Sequence, residues 1–203
     1  MQKLWICLLL GLLAIQCSKK DQTVVAANPN ALLNIEFAAL SAEGNEEAAP
    51  YIPRFEAFKT ELMKNLTEAI QNDGTAAAIE RCKIVSPEME KKHSDKARIY
   101  RISDRPRNPN HSPNEFEAAV LKLWKARLDS GEKIGPVAFK TASDFYVVAP
   151  IVLKADLCLQ CHGKNISTEV QSKLAELYPE DRATGYSMRE LRGAFVARKS
   201  LND

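Results

Sequence analysis

The sequence predicts an α+β protein with an antiparallel sheet flanked by helices and preceded by an N-terminal helical segment. Helical patterns fill the first half of the chain, two strands meet at Ser143-Asp144, and a last strand lies near the C-terminus. Strands and helices do not alternate as they do in βαβ units, so this order favours an antiparallel sheet. The 203 residues are 45% hydrophobic and 27% charged, a globular balance.

The helical segment becomes clear from Pro53. Its apolar positions recur at helical spacing, at Phe55, Phe58, Leu62, Leu66 and Ile70. Gly74 is expected to end this helix, and Thr75 to cap a second one, on which Cys82 faces inward. Ser86-Pro87 is expected to break the second helix.

The rest of the chain alternates between strand patterns and helical patterns. "ARIYRISD" indicates a strand, and "RPRNPNHSPN" is typical of a loop. Ser112 and Glu115 fit a capping box for a helix that Gly131 ends. Two strands follow around Ser143-Asp144, then a short helix in "STEVQSKLAELY" and a last strand in "GAFVARKSL".

The N-terminus carries an export signal. Lys3 precedes an apolar run that ends just before Cys17, which resembles a bacterial lipoprotein signal, although Gln16 stands where a small residue is usual. We therefore expect residues 1–16 to be removed, Cys17 to be lipidated, 17–32 to act as a tether, and 33–203 to form the domain. The expected location is the periplasmic side of a membrane, the outer membrane being weakly favoured.

"LCLQCHGK" places two thiols, Cys158 and Cys161, one helical turn apart and His162 directly after them. This spacing suits covalent attachment of one haem c, with the histidine as an iron ligand. Attachment would also account for two thiols in an oxidising compartment. A zinc site, a redox dithiol and a purely structural pair are the alternatives. A second Cys pair and a βαβ pattern, which the first two would favour, are not found.

A second iron ligand remains open from spacing alone. The candidates besides water or an external ligand are Cys82, Met63, Met89, His93, His111 and Met188. His93 and His111 are expected to be exposed, and Met89 lies in a charged segment. Cys82 alone lies on a clearly apolar helical face, although a small buried hydrophobe is the plainer interpretation of it.

Four stretches together resemble a family of single-haem, PAS-like periplasmic domains catalogued as a domain of unknown function. They are "AIERCKIVSPEM", "YRISDRPRNPNHSPNEFE", "PIVLKADLCLQCHG" and "ATGYSMRELRGAFVA". The resemblance implies a PAS-like fold and a haem c held between His162 and the Cys82 thiolate. Ser86 departs from the alanine that is usual there in the family.

The loop "DRPRNP" supplies candidate cofactor contacts. Arg105 and Arg107 could pair with haem propionates, because a guanidinium matches the geometry of a carboxylate. Asn108 could hold the loop or the ligand thiolate. The plainer interpretation is that these charges face water on a stiff loop. Arg192 is a weaker candidate of the same kind.

Two function classes follow from a haem in an exported domain. One is a sensor module that responds to redox state or to a gas, and the other is a one-electron carrier. Each needs an unidentified protein partner. An enzyme is not expected, because a thiolate-capped iron offers no free site. The net charge of +2 gives no reason to expect nucleic-acid binding.

Overall fold

A computed structural model describes residues 24–25 and 46–202. The signal predicted for residues 1–16, the lipidation predicted at Cys17 and all of the tether except Val24–Val25 lie outside the described residues. In the described part, no helix has the length and apolar character that crossing a membrane requires.

Five strands form one sheet in the order β1-β3-β4-β5-β2. The strands are β1 (Val24–Val25), β2 (Arg98–Ile102), β3 (Val137–Lys140), β4 (Asp144–Val152) and β5 (Leu191–Ser200). β2 to β5 pair antiparallel, and β1, whose residues lie within the predicted tether, pairs parallel with β3 at the edge. The predicted α+β class is confirmed, and the arrangement is consistent with a PAS-like fold.

Helices cover both faces of this sheet. They are α1 (Tyr51–His93), α2 (Glu115–Asp129), α3 (Asp156–His162) and α4 (Thr168–Leu177), and a 3₁₀ turn spans Pro109–His111. Because side chains alternate along a strand, each face has its own core. Trp124 of α2 packs on the face that carries Val148 and Val196. Phe55 and Phe58 of α1 pack on the opposite face.

α1 differs from the prediction at Pro87 and agrees with it at Gly74. Gly74 leaves helical geometry at φ 85° and ψ 168°, so the helix bends there. The expected break at Ser86-Pro87 is wrong, because the helix continues through Pro87 to His93. Burial of Ser86 and Met89 on either side of the proline holds the helix, and this packing outweighs the hydrogen bond that proline cannot make.

The predicted capping box of α2 is displaced by two residues. Asn114, not Ser112, accepts a hydrogen bond from the Glu117 backbone, and the Glu117 carboxylate accepts one from the Asn114 backbone, each at 2.9 Å. Glu117 is buried, and its carboxylate also accepts from the Tyr100 hydroxyl. A buried carboxylate needs these partners, so the tertiary contact selects this register.

Candidate functional site

The two thiols of "LCLQCHGK" lie on α3 and enter two different apolar clusters. Cys158 packs against the cluster of Leu153, Ala183 and Tyr186. Cys161, one turn later, packs against Ala76, Ile79, Val170 and Leu174. All three cysteines among the described residues are free and half-buried. α3 therefore presents both thiols toward the interior.

The imidazole of His162 has a fixed tautomer. Its Nδ1 lies 2.7 Å from the Ala183 carbonyl oxygen. A carbonyl can only accept, so Nδ1 carries the proton and Nε2 keeps its lone pair. The His162 carbonyl accepts from the Tyr186 backbone at 2.9 Å, which ties the end of α3 to the segment before β5. The ring is thus prepared to act as a ligand through Nε2.

The electrostatic environment keeps His162 neutral. Burial lowers the pKa of His162 well below its usual value, and the charges of Arg192 and Arg107 lower it further. Only a neutral imidazole can ligate a metal ion.

Gly163 ends α3 for a packing reason. A Cβ at this position would lie 2.5 Å from the Leu159 carbonyl oxygen. The close approach that requires glycine here is therefore made with the preceding helical turn.

Cys82 reaches this site from the second half of α1. That half runs beside α3 and α4, where the Thr75 hydroxyl donates to Gln160 at 3.1 Å and Lys83 Nζ donates to the Leu177 carbonyl at 3.1 Å. Cys161 packs against Ile79, which lies one helical turn before Cys82 on α1. Cys82 and the α3 thiols therefore belong to one site.

The Cys82 thiol feels two opposing influences. Burial raises its pKa, while the charges of Arg101, Arg107 and Arg81 lower it. Burial has the larger effect, so the pKa of the free thiol lies above its ordinary value and the thiol is protonated at neutral pH. A bound cation would be needed to hold it as a thiolate.

The "DRPRNP" loop borders the site, and its three candidate residues have definite partners. Arg107 donates to Asp181 at 3.2 Å and to the Cys161 carbonyl at 2.6 Å. Arg105 lies over the Tyr186 ring, 4.0 Å from its centroid. Asn108 accepts from the Asn110 backbone at 3.0 Å and so holds the loop itself.

Two buried polar atoms near His162 have no hydrogen-bond partner among the described residues. They are the Tyr186 hydroxyl and Arg192 Nε. The ring of Tyr186 meets that of His162 edge-on at 6.4 Å, and the Arg192 guanidinium lies 5.7 Å from the Tyr186 ring centroid. Buried donors normally have hydrogen-bond acceptors. The space beside Tyr186 and Arg192 therefore suits an added group that supplies acceptor atoms, such as a carboxylate.

Three of the other residues considered as iron ligands are engaged elsewhere, and two expectations about them are wrong. His93 and His111 are not exposed. His93 stacks on Phe58 with ring centroids 5.1 Å apart, and His111 pairs with Glu90 at 3.1 Å. Met89 is buried in the core beneath the sheet despite its charged neighbours in sequence. Each imidazole also has a carboxylate partner, Glu61 for His93 at 3.1 Å and Glu90 for His111, and this contact compensates for the water that each ring loses.

A cleft of about 390 Å³ adjoins the site behind Gly163. Its walls come from α4 and the segment before β5, and Tyr178 and Asp181 are among its lining residues. The residues that line it include none of the three described cysteines, and they do not include His162 or Arg192. The cleft is therefore next to the candidate site and is not part of it.

Sequence reasoning missed three contributors to the site. The Ala183 carbonyl is a backbone group and has no signal in the sequence. Tyr186 was not singled out. Arg101 lies on β2, in the stretch that was predicted only as a strand. The four-residue spacing of Cys82, Ser86 and Glu90, which places them on one helical face, is the signal that could have found its partners.

Comparisons with known proteins agree with this architecture. The fold is similar to the crystal structure of the cyanobacterial heme-protein Tll0287, with a TM-score of 0.55 and 17% identity, over 77% of this chain and 96% of that chain. No curated protein matches the sequence significantly. The family model Tll0287-like matches residues 28–200, which is most of the chain. The chain therefore belongs to the Tll0287-like family.

Proposed function

We propose that this chain is an exported protein that carries one haem c, attached through Cys158 and Cys161, with His162 and Cys82 as the iron ligands. The observation that supports this most is the packing of the α1 turn before Cys82 against Cys161 of α3, next to an imidazole whose Nε2 keeps its lone pair. The similarity to a solved heme-protein adds to it.

The residues at the site fit the chemistry of a haem. Two thiols one turn apart on one helix match the two vinyl groups to which a haem c is bonded. The unpartnered donors of Tyr186 and Arg192 would meet the acceptors of propionates. Arg105 is the further candidate for this contact. Arg107 already pairs with Asp181, so a propionate would have to share it.

His162 would be the permanent ligand. The Ala183 carbonyl orients the ring and makes the imidazole a better donor. The low pKa of His162 means that it has no proton to lose before binding. Its neighbour Cys161 would be bonded to the same group, so His162 cannot move away while the attachment lasts.

Cys82 would be the exchangeable ligand. A bound haem would supply a one-electron redox centre and an iron that a small gas can reach. The thiolate of Cys82 would favour the ferric state, because its negative charge compensates the higher charge of the iron. In the ferrous state that compensation is weaker, and the raised pKa of the free thiol favours its protonation and release.

A redox- or gas-responsive sensor is therefore the proposed role. Cys82 lies on α1 while the attachment residues lie on α3, so release of Cys82 would remove one link between the two helices. The proposed lipid anchor at Cys17 would hold the domain on the periplasmic side of a membrane, where a protein partner would receive the response.

The decisive experiment is the ferric and ferrous absorption spectrum of protein matured with a cytochrome c assembly system. A Soret band with thiolate-to-iron charge-transfer features in the ferric form is expected. A Soret band without those features would remove Cys82 from the ligands, and no Soret band would overturn haem binding. Ferrous protein that keeps Cys82 and binds no CO would favour a one-electron carrier.

A further inference from the structure

One face of α1 connects the Cys82 thiol to a charged cluster. Cys82, Ser86 and Glu90 are spaced by four residues, so their side chains follow one another along the helix. Arg101 of β2 reaches this face and donates to the Ser86 hydroxyl and, at 3.4 Å, to the Glu90 carboxylate. The guanidinium is therefore held at two points on the helix that carries Cys82.

The position of Arg101 is fixed from more than one side. Its guanidinium lies over the Phe58 ring, 5.8 Å from the centroid. Glu90, its carboxylate partner, is also held by His111 at 3.1 Å, and the side chains of Arg101 and Glu90 are 23% and 16% exposed. Largely withdrawn from water and held by several contacts, Arg101 cannot simply turn away into solvent.

The charge of Glu90 balances that of Arg101. Burial alone would raise the pKa of Glu90, but the His111 hydrogen bond and the charge of Arg101 bring it below the ordinary value. Glu90 is thus a carboxylate at neutral pH. The Arg101 guanidinium and the Glu90 carboxylate therefore carry opposite charges, and the guanidinium is held at Ser86, one helical turn from Cys82.

We propose that Arg101 is a positioning residue of the haem site, which keeps a fixed positive charge beside the Cys82 sulfur, with Ser86 and Glu90 setting where that charge lies. This inference rests on the proposed function, because it concerns Cys82 as an iron ligand. Arg101 acts through the ligand and does not touch the iron.

The sign of each charge gives the proposal a specific signature. A positive charge near the thiolate favours the ferrous over the ferric state, and a negative charge does the opposite. Removing the Arg101 charge should therefore lower the reduction potential, and removing the Glu90 charge should raise it. A merely structural role for the pair would shift the potential in the same direction in both variants.

The test measures the reduction potential and the ferric thiolate-to-iron charge-transfer band of haem-loaded protein. Arg101→Gln should lower the potential and move the band to longer wavelength, and Glu90→Gln should do the reverse. Arg101→Lys should restore most of the wild-type values, because it keeps the charge. Lys91→Gln and Glu88→Gln remove exposed charges from the same helix and should leave both readouts unchanged.

Ser86→Ala is the mildest variant and guards against misfolding, because it keeps every charge and removes one hydrogen bond. It should shift both readouts in the direction of Arg101→Gln, by a smaller amount. Suppose that the wild-type protein shows the thiolate features. Shifts of the same sign in Arg101→Gln and Glu90→Gln, or no shift in either variant, would then overturn this inference and leave the proposed function standing. Wild-type protein without thiolate features would overturn Cys82 ligation, and this inference with it.

Discussion

The Ala183 carbonyl oxygen lies 2.7 Å from Nδ1 of His162 and so decides which nitrogen of that ring is free. Ala183 stands 21 residues after His162, on a segment that returns to α3 before β5 begins. The same segment carries Tyr186, whose backbone binds the His162 carbonyl. The ring is therefore oriented by the fold, before any cofactor is bound.

The proposed covalent attachment of haem predicts the result of removing both α3 thiols. Cys158→Ala combined with Cys161→Ala should abolish covalent haem, because no vinyl bond can form. The measurement is haem-linked peroxidase staining of denatured protein on a gel. Cys82→Ala is the matched control and should keep the stain. Stain that survives in the double variant would contradict the proposed attachment.

The proposal that Cys82 is an exchangeable iron ligand predicts the result of removing it. Cys82→Ala should keep the covalent haem, lose the thiolate features of the ferric spectrum and bind CO readily when reduced. Alanine is a good helix former, so α1 should be retained. Ile84→Ala, at a position 61% exposed on the same helix, is the control and should match the wild type. An unchanged ferric spectrum in Cys82→Ala would exclude this ligand.

Gly193 predicts a large loss of stability at the edge of the site. Its φ is +157°, and a Cβ there would lie 2.1 Å from the Ile102 carbonyl oxygen, a backbone atom that cannot yield. Gly193→Ala should cost at least about 1–3 kcal/mol of unfolding free energy, measured by chemical denaturation. Gly135→Ala, where a Cβ would meet nothing within 4 Å, should cost little. Equal stability of the two variants would contradict the clash.

Asp144 predicts a pH-dependent contribution to stability. It accepts two hydrogen bonds from Arg198, at 2.8 and 2.9 Å, which hold its pKa below the ordinary value. Its contribution should therefore be complete above the ordinary Asp pKa and be lost as the pH falls through the lower folded-state pKa. Asp144→Asn should cost about 1 kcal/mol at neutral pH, since Arg198 is partly exposed.

The check on Asp144 is chemical denaturation at neutral pH and at a pH well below the ordinary Asp range. The difference between wild type and Asp144→Asn should shrink in acid. Asp129→Asn, at an exposed position, is the control and should differ little from wild type at either pH. A difference of constant size at both pH values would show that the carboxylate charge is not responsible.

Local sequence signals predicted most elements of the fold. The bend at Gly74, the strands on either side of Ser143 and the short helix α4 follow from backbone preference and periodicity, which act over a few residues. The helix through Pro87 could not be predicted this way. It persists because Met89 is buried under the sheet, a contact with residues far away in the chain.

The candidate site was predictable where a motif carries its own spacing, as at Cys158, Cys161 and His162. Partners chosen by tertiary contact were not. His111 was expected in solvent because its neighbours are polar, yet Glu90 of α1 binds it. Arg107 was considered for a propionate or for a solvent-facing charge, and the fold places it on the carbonyl of Cys161. Such pairings depend on how the helices pack against each other, and local sequence patterns do not predict that packing.

The positions of Cys82 and His162 have a consequence for the unfolded chain. Roughly 80 residues separate them, and this stretch contains β2, α2, β3 and β4. A link between α1 and α3 through a common iron would close that stretch into a ring. By the loop-closure entropy that applies to a disulfide, such a ring is worth on the order of 4 kcal/mol. Breaking one iron–sulfur bond would then lower the stability of the whole domain, and a partner could sense that loss without any large displacement.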